Sequence, residues 1–169
     1  RDKKTEHGEN FLEVTPKGYV PALRMEDGEI LTENAVVQNY IADLKPASNL
    51  APPYGTKARL RQDELAIFIS TEIHKTYSPM FNPAITEEGR KAAIDRLTSR
   101  YTLIEQLLSD GRSYLTGETF TTVDAYLFTV TNWSNMLKVD LSAFPKVMAL
   151  QQRVGARKAV QEAMIAEGL

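Results

Sequence analysis

Residues 115–133 read LTGETFTTVDAYLFTVTNW. Within them Thr121-Thr122-Val123-Asp124 has the form of a capping box. A Thr hydroxyl accepts from an orphan N–H of the first helical turn, and a carboxylate three residues on reaches back to the cap's own N–H. The run that follows, Ala125-Tyr126-Leu127-Phe128-Thr129-Val130, is apolar on nearly every side. A helix without a polar face is a buried one, so other elements must surround it. The stretch predicts a capped helix at the centre of a helical domain. Capping boxes are common, and this pattern alone assigns no chemistry.

The segments around it supply the surrounding elements. Residues 57–77 form a long helical pattern with Leu65, Ile69 and Ile73 on one face, ended by Ser78-Pro79 because the residue before proline is pushed out of α space. Residues 87–108 place Ile94, Leu97, Tyr101, Ile104 and Leu108 at steps of 3, 4, 3 and 4, the seam spacing of packed antiparallel helices. Asp110-Gly111 offers a C-terminal cap. Past the central helix come residues 145–154, stopped by Gly155, and a last amphipathic piece through Ala159, Val160, Ala163 and Met164.

Toward the N-terminus the pattern changes. Residues 45–56, KPASNLAPPYGT, break all periodicity with three prolines and a Gly and read as a linker. Ahead of it, residues 10–14 look like a short helical turn and residues 19–25 like a strand. Glu26-Asp27-Gly28 is then a hairpin turn and residues 29–31 the return strand, with Asp-Gly favouring type I′. Thr32 or Asn34 caps a helix over 35–44 with apolar residues at 36, 37, 40, 41 and 44. A hairpin plus one helix is marginal alone, so something must sit on the other edge of those strands. The fold class is an α+β two-domain chain: residues 1–45, a linker over 46–56, and an all-helical domain over 57–169.

Hydrophobic residues make up 43% and charged residues 25%, an ordinary globular composition. Residues 1–45 hold six Lys/Arg against nine Asp/Glu, leaving fourteen against thirteen beyond, so no basic face accumulates and nucleic acid is not an expected partner. There is no apolar run near 18 residues and no signal-peptide pattern, so no membrane partner is expected. With no Cys there is no disulfide, no thiolate metal site and no thiol nucleophile in this chain, and no metal is expected. A cytoplasmic location fits this, as other compartments do. The opening Arg1-Asp2-Lys3-Lys4, polar and without Met, reads as the middle of a longer protein.

Three constellations carry potential chemistry. Pro21 inside a strand cannot donate to the ladder, which places Val20-Pro21 on an edge or in a special conformation; an edge that merely avoids aggregation explains it equally. The helix opening at Thr32-Glu33-Asn34 has free N–H groups that attract a carboxylate, while Glu33 suits an ammonium, so the pair suits an α-amino acid head group. Plain N-capping explains the same residues. On the long helix, Asp63, Ile67, Ser70, Thr71 and His74 share a polar lane opposite the apolar face. A helix-terminal His74 and Lys75 also relieve the C-terminal dipole without any other role. Tyr77 and Trp133 are either walls for an apolar co-substrate or core.

Taken in order, G-Y-V-P-A-L, D-G-x-x-L-T-E-N, a linker, S-T-E-I-H-K-T-Y-S-P-M-F, F-T-T-V-D-A-Y-L-F and a closing A-E-G-L resemble the bacterial beta-class glutathione transferases from Lys3 to Leu169. The resemblance implies a thioredoxin-like glutathione-binding domain joined to an all-helical one, in a homodimer. It implies that a first strand, helix and second strand, about 30 residues by the size of such a unit, are missing, together with the family's Cys. The chain as given is then expected to be weakly active or inactive. By the same resemblance Pro21 is a cis-proline, Val20 pairs with the cysteinyl backbone of glutathione, and Glu33 and Asn34 hold its γ-glutamyl end. His74, as the catalytic group, and Lys75 reach the thiol and carboxylate region, and Lys3 meets the glycine end.

Three departures touch detail. Asn34 stands where Ser or Gly is frequent, Tyr19 where Gln is frequent, and Ile67 where some members have Asn. The implied activity is joining the glutathione thiol to an apolar electrophile, with peroxide reduction or dehalogenation as variants. A non-catalytic carrier of glutathione or hydrophobic ligands, and an adaptor module, share the fold. Val20, Glu33, His74 and Lys75 argue against the adaptor.

Overall fold

A computed structural model describes residues 3–169. Its centre is the helix read first. α6 spans Thr122–Leu137, and the Thr121–Asp124 capping box that starts it forms. Asp124 Oδ2 accepts the Thr121 N–H at 2.8 Å and the Thr121 hydroxyl at 3.0 Å. Its Oδ1 takes the Leu115 N–H at 2.8 Å, which ties the preceding loop to the cap. Val123, Leu127 and Val130 then disappear into a core shared with the helices around them.

Those helices are α3 (Lys57–Phe68), α4 (Lys75–Tyr77), α5 (Glu87–Leu107), α7 (Pro145–Gly155) and α8 (Lys158–Ala166). The α5 seam is buried as its spacing predicts at Leu97, Tyr101, Ile104 and Leu108, with Ile94 partly covered. The expected single helix over 57–77 is broken differently: between α3 and α4 lies a π-helical turn, Ile69–His74. Such a turn closes i→i+5 hydrogen bonds and is frequent at functional positions. Ile69, Ile73 and Tyr77 are still fully buried on one face. Ser78 is not expelled from α space before Pro79; it keeps φ −52° and the chain continues as a 3₁₀ turn, Ser78–Phe81. α7 ends on Gly155 itself, one residue later than expected, at a point where a Cβ would meet Phe128 Cε2 at 3.3 Å. The reason for Gly there is close helix approach rather than chain reversal.

The N-terminal part carries α1 (Phe11–Val14), β1 (Ala22–Arg24), β2 (Ile30–Thr32) and α2 (Asn34–Leu44). The strands pair antiparallel with Leu23 opposite Leu31 and are shorter than the pattern suggests. The hairpin turn is not type I′, which needs positive φ at both central residues. Only Gly28 takes it, at φ 89°, while the Met25 N–H bonds Glu29 O at 2.9 Å across a three-residue loop. The helix cap is neither Thr32 nor Asn34 but Glu33, at φ 73° with no side-chain cap bond. Of the expected α2 stripe Val37 is buried, whereas Val36, Ile41 and Leu44 are exposed.

The linker is held on both sides. A 3₁₀ turn, Pro46–Ser48, opens it, and the Thr122 N–H donates to Leu50 O at 2.9 Å. Arg59, almost wholly buried on α3, donates to both oxygens of Asp43 on α2 at 2.9 and 2.8 Å and to Pro52 O at 3.0 Å. These bonds fix α2 against α3 and α6, and with them one wall of a cleft.

Candidate functional site

The cleft lies where the hairpin part meets the helices and has a volume of about 320 Å³. From the first part come Lys17, Val20, Pro21, Thr32, Glu33 and Asn34; from the helices come Ser70, His74, Lys75 and Tyr126. So six of the residues singled out above, Val20, Pro21, Glu33, Asn34, His74 and Lys75, face one space although 55 positions separate the first from the last.

Each is placed by local structure. The Val20–Pro21 peptide is cis and leads into β1, and Val20 is 82% exposed. Its main-chain N–H and C=O make no hydrogen bond among the described residues. Glu33 is held in a conformation that L side chains rarely adopt, which turns its carboxylate outward at the start of α2. The main-chain N–H groups that follow point toward the same region, as at any helix start. Lys17 Nζ sits 2.8 Å from Glu33 Oε1 and 2.9 Å from Thr32 Oγ1. The hydrogen bond from Lys17, and then its charge, hold the Glu33 carboxyl below the usual carboxylate range. This corner presents a carboxylate, an ammonium and helix-start N–H groups together.

The opposite wall is set by the π-helical turn. It brings Ser70 and His74 to the cleft, while Thr71 is exposed outside it and Asp63 bonds Asn39 at 2.7 Å, so the single polar lane expected on a regular helix divides. His74 Nδ1 lies 2.9 Å from the Tyr126 hydroxyl, and the ring meets Trp133 edge-on with centroids 4.8 Å apart. Burial, and secondly the Lys75 ammonium, hold the His74 pKa below the ordinary imidazole value, so the ring is neutral at pH 7. Lys75 is exposed at the rim.

Three assignments change. Tyr77 cannot be a wall for a co-substrate: it is 0% exposed, its hydroxyl bonds Tyr101 at 3.0 Å, and burial raises its pKa beyond any working pH. Trp133 does not line the cleft itself; it packs behind His74, with Tyr77 on one side and the half-exposed Phe81 on another at 5.2 Å. Lys3 does not line the cleft. Its Nζ donates to Gly18 O at 2.7 Å and sits over the Tyr19 ring, one shell back from the rim.

Lys17 and Tyr126 also line the cleft, and no sequence signal marks Lys17. Tyr126 lies in an apolar run and reads as core; only its polar tip, one turn past the cap, could have marked it. Among the described residues no group of three or more His, Cys, Asp or Glu could hold a metal ion, and no helix is long and apolar enough to cross a membrane.

Comparison with known proteins follows the same lines. Residues 68–158 match the model of the glutathione S-transferase C-terminal domain. The chain is 36% identical to glutathione S-transferase GstA of Escherichia coli O157:H7 over 167 residues, covering 99% of this chain and 83% of that one. A sphingomonad glutathione S-transferase solved in complex with glutathione superposes with a TM-score of 0.94 at 39% identity, over 99% of this chain and 83% of that one. The beta-class enzyme of Sphingomonas chungbukensis gives a TM-score of 0.93 at 38% identity with the same coverage.

Proposed function

The chain belongs to the glutathione S-transferase family, and from that premise we propose that its cleft holds glutathione beside a small apolar electrophile. The observation that carries the reading is the convergence, across residues 1–45 and 57–169, of an unbonded main chain at Val20, the Glu33–Asn34 corner and the His74–Lys75 pair on one space. The Val20 N–H and C=O suit the cysteinyl peptide of the ligand, as a strand edge suits an added strand. Glu33 receives the γ-glutamyl ammonium, and the α2 start with Lys17 receives its carboxylate. Lys3, behind Tyr19, is near enough to the rim to serve the glycine end.

Chemistry then turns on the sulfur. Only a thiolate is a good nucleophile, so donors or positive charge beside it raise the reactive fraction. Neutral His74 offers a ring edge and Lys75 a charge. The thiolate attacks the electrophilic carbon, a C–S bond forms, and the leaving group departs with its electron pair. The half-exposed Phe81, backed by Trp133, gives the electrophile an aromatic wall. The same reading makes the protein a homodimer, for which Leu60 and Ile67 on α3 and Leu103 on α5 offer exposed apolar side chains. Light scattering that finds only the single-chain mass at micromolar concentration would count against the dimer.

Calorimetry and a conjugation assay test the site. Glu33→Gln should weaken glutathione binding by about tenfold, the loss of one charge-assisted contact. His74→Ala should lower kcat by about a hundredfold while leaving binding within a few-fold. An unchanged rate in His74→Ala would return that residue to a helix-end cation.

A further inference from the structure

One ring nitrogen of His74 is committed and the other is free. Nδ1 lies 2.9 Å from the Tyr126 hydroxyl, and Nε2 has no hydrogen-bond partner among the described residues. Tyr126 is 4% exposed, and its ring packs into the core of α6, so its hydroxyl has no freedom to leave. Burial raises the Tyr126 pKa, so the hydroxyl keeps its proton at neutral pH.

A phenol has one proton to give and two lone pairs to offer. A phenol O–H is a stronger donor than an imidazole N–H, and an imidazole nitrogen a better acceptor than a phenol oxygen, so the Tyr126 proton is directed at His74 Nδ1. A neutral imidazole that accepts at Nδ1 carries its own proton on Nε2. On the glutathione-site reading given above, we propose that Tyr126 is a positioning residue: it fixes His74 in the Nε2–H tautomer and presents that N–H to the cleft as a donor for the thiolate sulfur.

The remaining groups facing His74 leave this assignment intact. Lys75 from α4, and Lys17 with Glu33 from across the cleft, hold charges near the ring, and Trp133 from α6 covers one side. None of them is bonded to either ring nitrogen among the described residues.

The chain has two histidines and a single tryptophan, and that tryptophan is Trp133 against His74. Nitrogen NMR of the unaltered protein at neutral pH should therefore show His74 with a bare Nδ1 and a protonated Nε2. The opposite tautomer would overturn the proposal, whether or not any variant folds. A protonated imidazole quenches a neighbouring indole, so Trp133 emission titrates with His74. Tyr126→Phe removes the partner of Nδ1, so the Nδ1–H tautomer should become populated in the nitrogen spectra. His74→Gln, as control, should abolish the transition. Turnover in Tyr126→Phe should fall about tenfold with KM for glutathione nearly unchanged, the loss expected of one hydrogen bond. A Tyr126→Phe protein with the parental tautomer and parental kcat would make Tyr126 a core residue only. Glutathione that does not bind at all would instead remove the functional reading, while tautomer and titration are read without it.

Discussion

Replacing Asp124 by Ala should cost about 2–4 kcal/mol of unfolding free energy, well beyond the 0.5–2 kcal/mol typical of a lost helix cap. The larger figure comes from burial. Asp124 is 0% exposed and receives three donors: the Leu115 N–H, the Thr121 N–H and the Thr121 hydroxyl. The hydroxyl has a second partner 3.3 Å away in Thr116 Oγ1 and can turn to it. The two backbone N–H groups have none, and a buried donor left unsatisfied costs about 1–3 kcal/mol. Against this, the carboxylate itself is held at a cost, since burial pushes its pKa up despite those donors, and Ala relieves that part. Asp124→Asn keeps the shape and one acceptor oxygen but turns an NH₂ toward a donor, and should fall between parent and Ala. Urea unfolding measures both, with the slope against denaturant unchanged if only stability moves. An Ala variant within about 0.5 kcal/mol of the parent would refute the argument that the three bonds act through burial.

Three further outcomes follow from other contacts. Asp43, held below its ordinary carboxylate value by the hydrogen bond from Arg59, contributes stability that is full above its unfolded pKa and lost as pH falls through the lower folded one. Asp43→Asn should therefore cost about 1 kcal/mol near pH 7, the half-exposed partner limiting the amount, and the difference should vanish in acid; a pH-independent difference would contradict it. Gly155→Ala gains helix propensity of about 1 kcal/mol but drives a Cβ against the buried Phe128 ring, so it should be destabilising alone and stabilising in a Phe128→Leu background. Glu33→Gly removes a side chain from a positive-φ position and should show no loss in thermal unfolding while losing glutathione affinity; a clear drop in Tm would mean Glu33 is not strained.

Much of the fold was legible because its signals are local. The Thr121–Asp124 box, the seam of α5 and the hairpin with Gly28 each depend on a few neighbouring residues, and each appears where the pattern puts it. What escaped depends on distant partners. Asp-Gly favours type I′ in isolation, yet the pairing of Met25 with Glu29 sets a three-residue loop. Glu33 has no propensity for positive φ, and only the junction of β2 with α2 imposes it. The site was half readable. His74 and Lys75 stand out as adjacent cations, but Tyr126 is indistinguishable from core in an apolar helix. Tyr77 looked like a pocket wall from its place beside them, and packing against Tyr101 decided otherwise.

The π-helical turn Ile69–His74 has a consequence best stated as rotation. Each residue of an α-helix advances the side-chain direction by about 100°. One wide turn therefore works as a phase slip, resetting the bearing of everything after it against everything before. Upstream of it, α3 is oriented by Arg59 and Gln62 against α2 and α6; downstream, α4 is oriented by Tyr77 against Tyr101. The slip lets both bearings hold while His74 points between them. Winding all six residues of 69–74 as regular α-helix would leave the two ends disagreeing by about 100°, so that either the Arg59 clasp or the core face would have to let go. In this segment the wide turn takes up one residue more than a regular helix would, and that is what keeps the two ends in step.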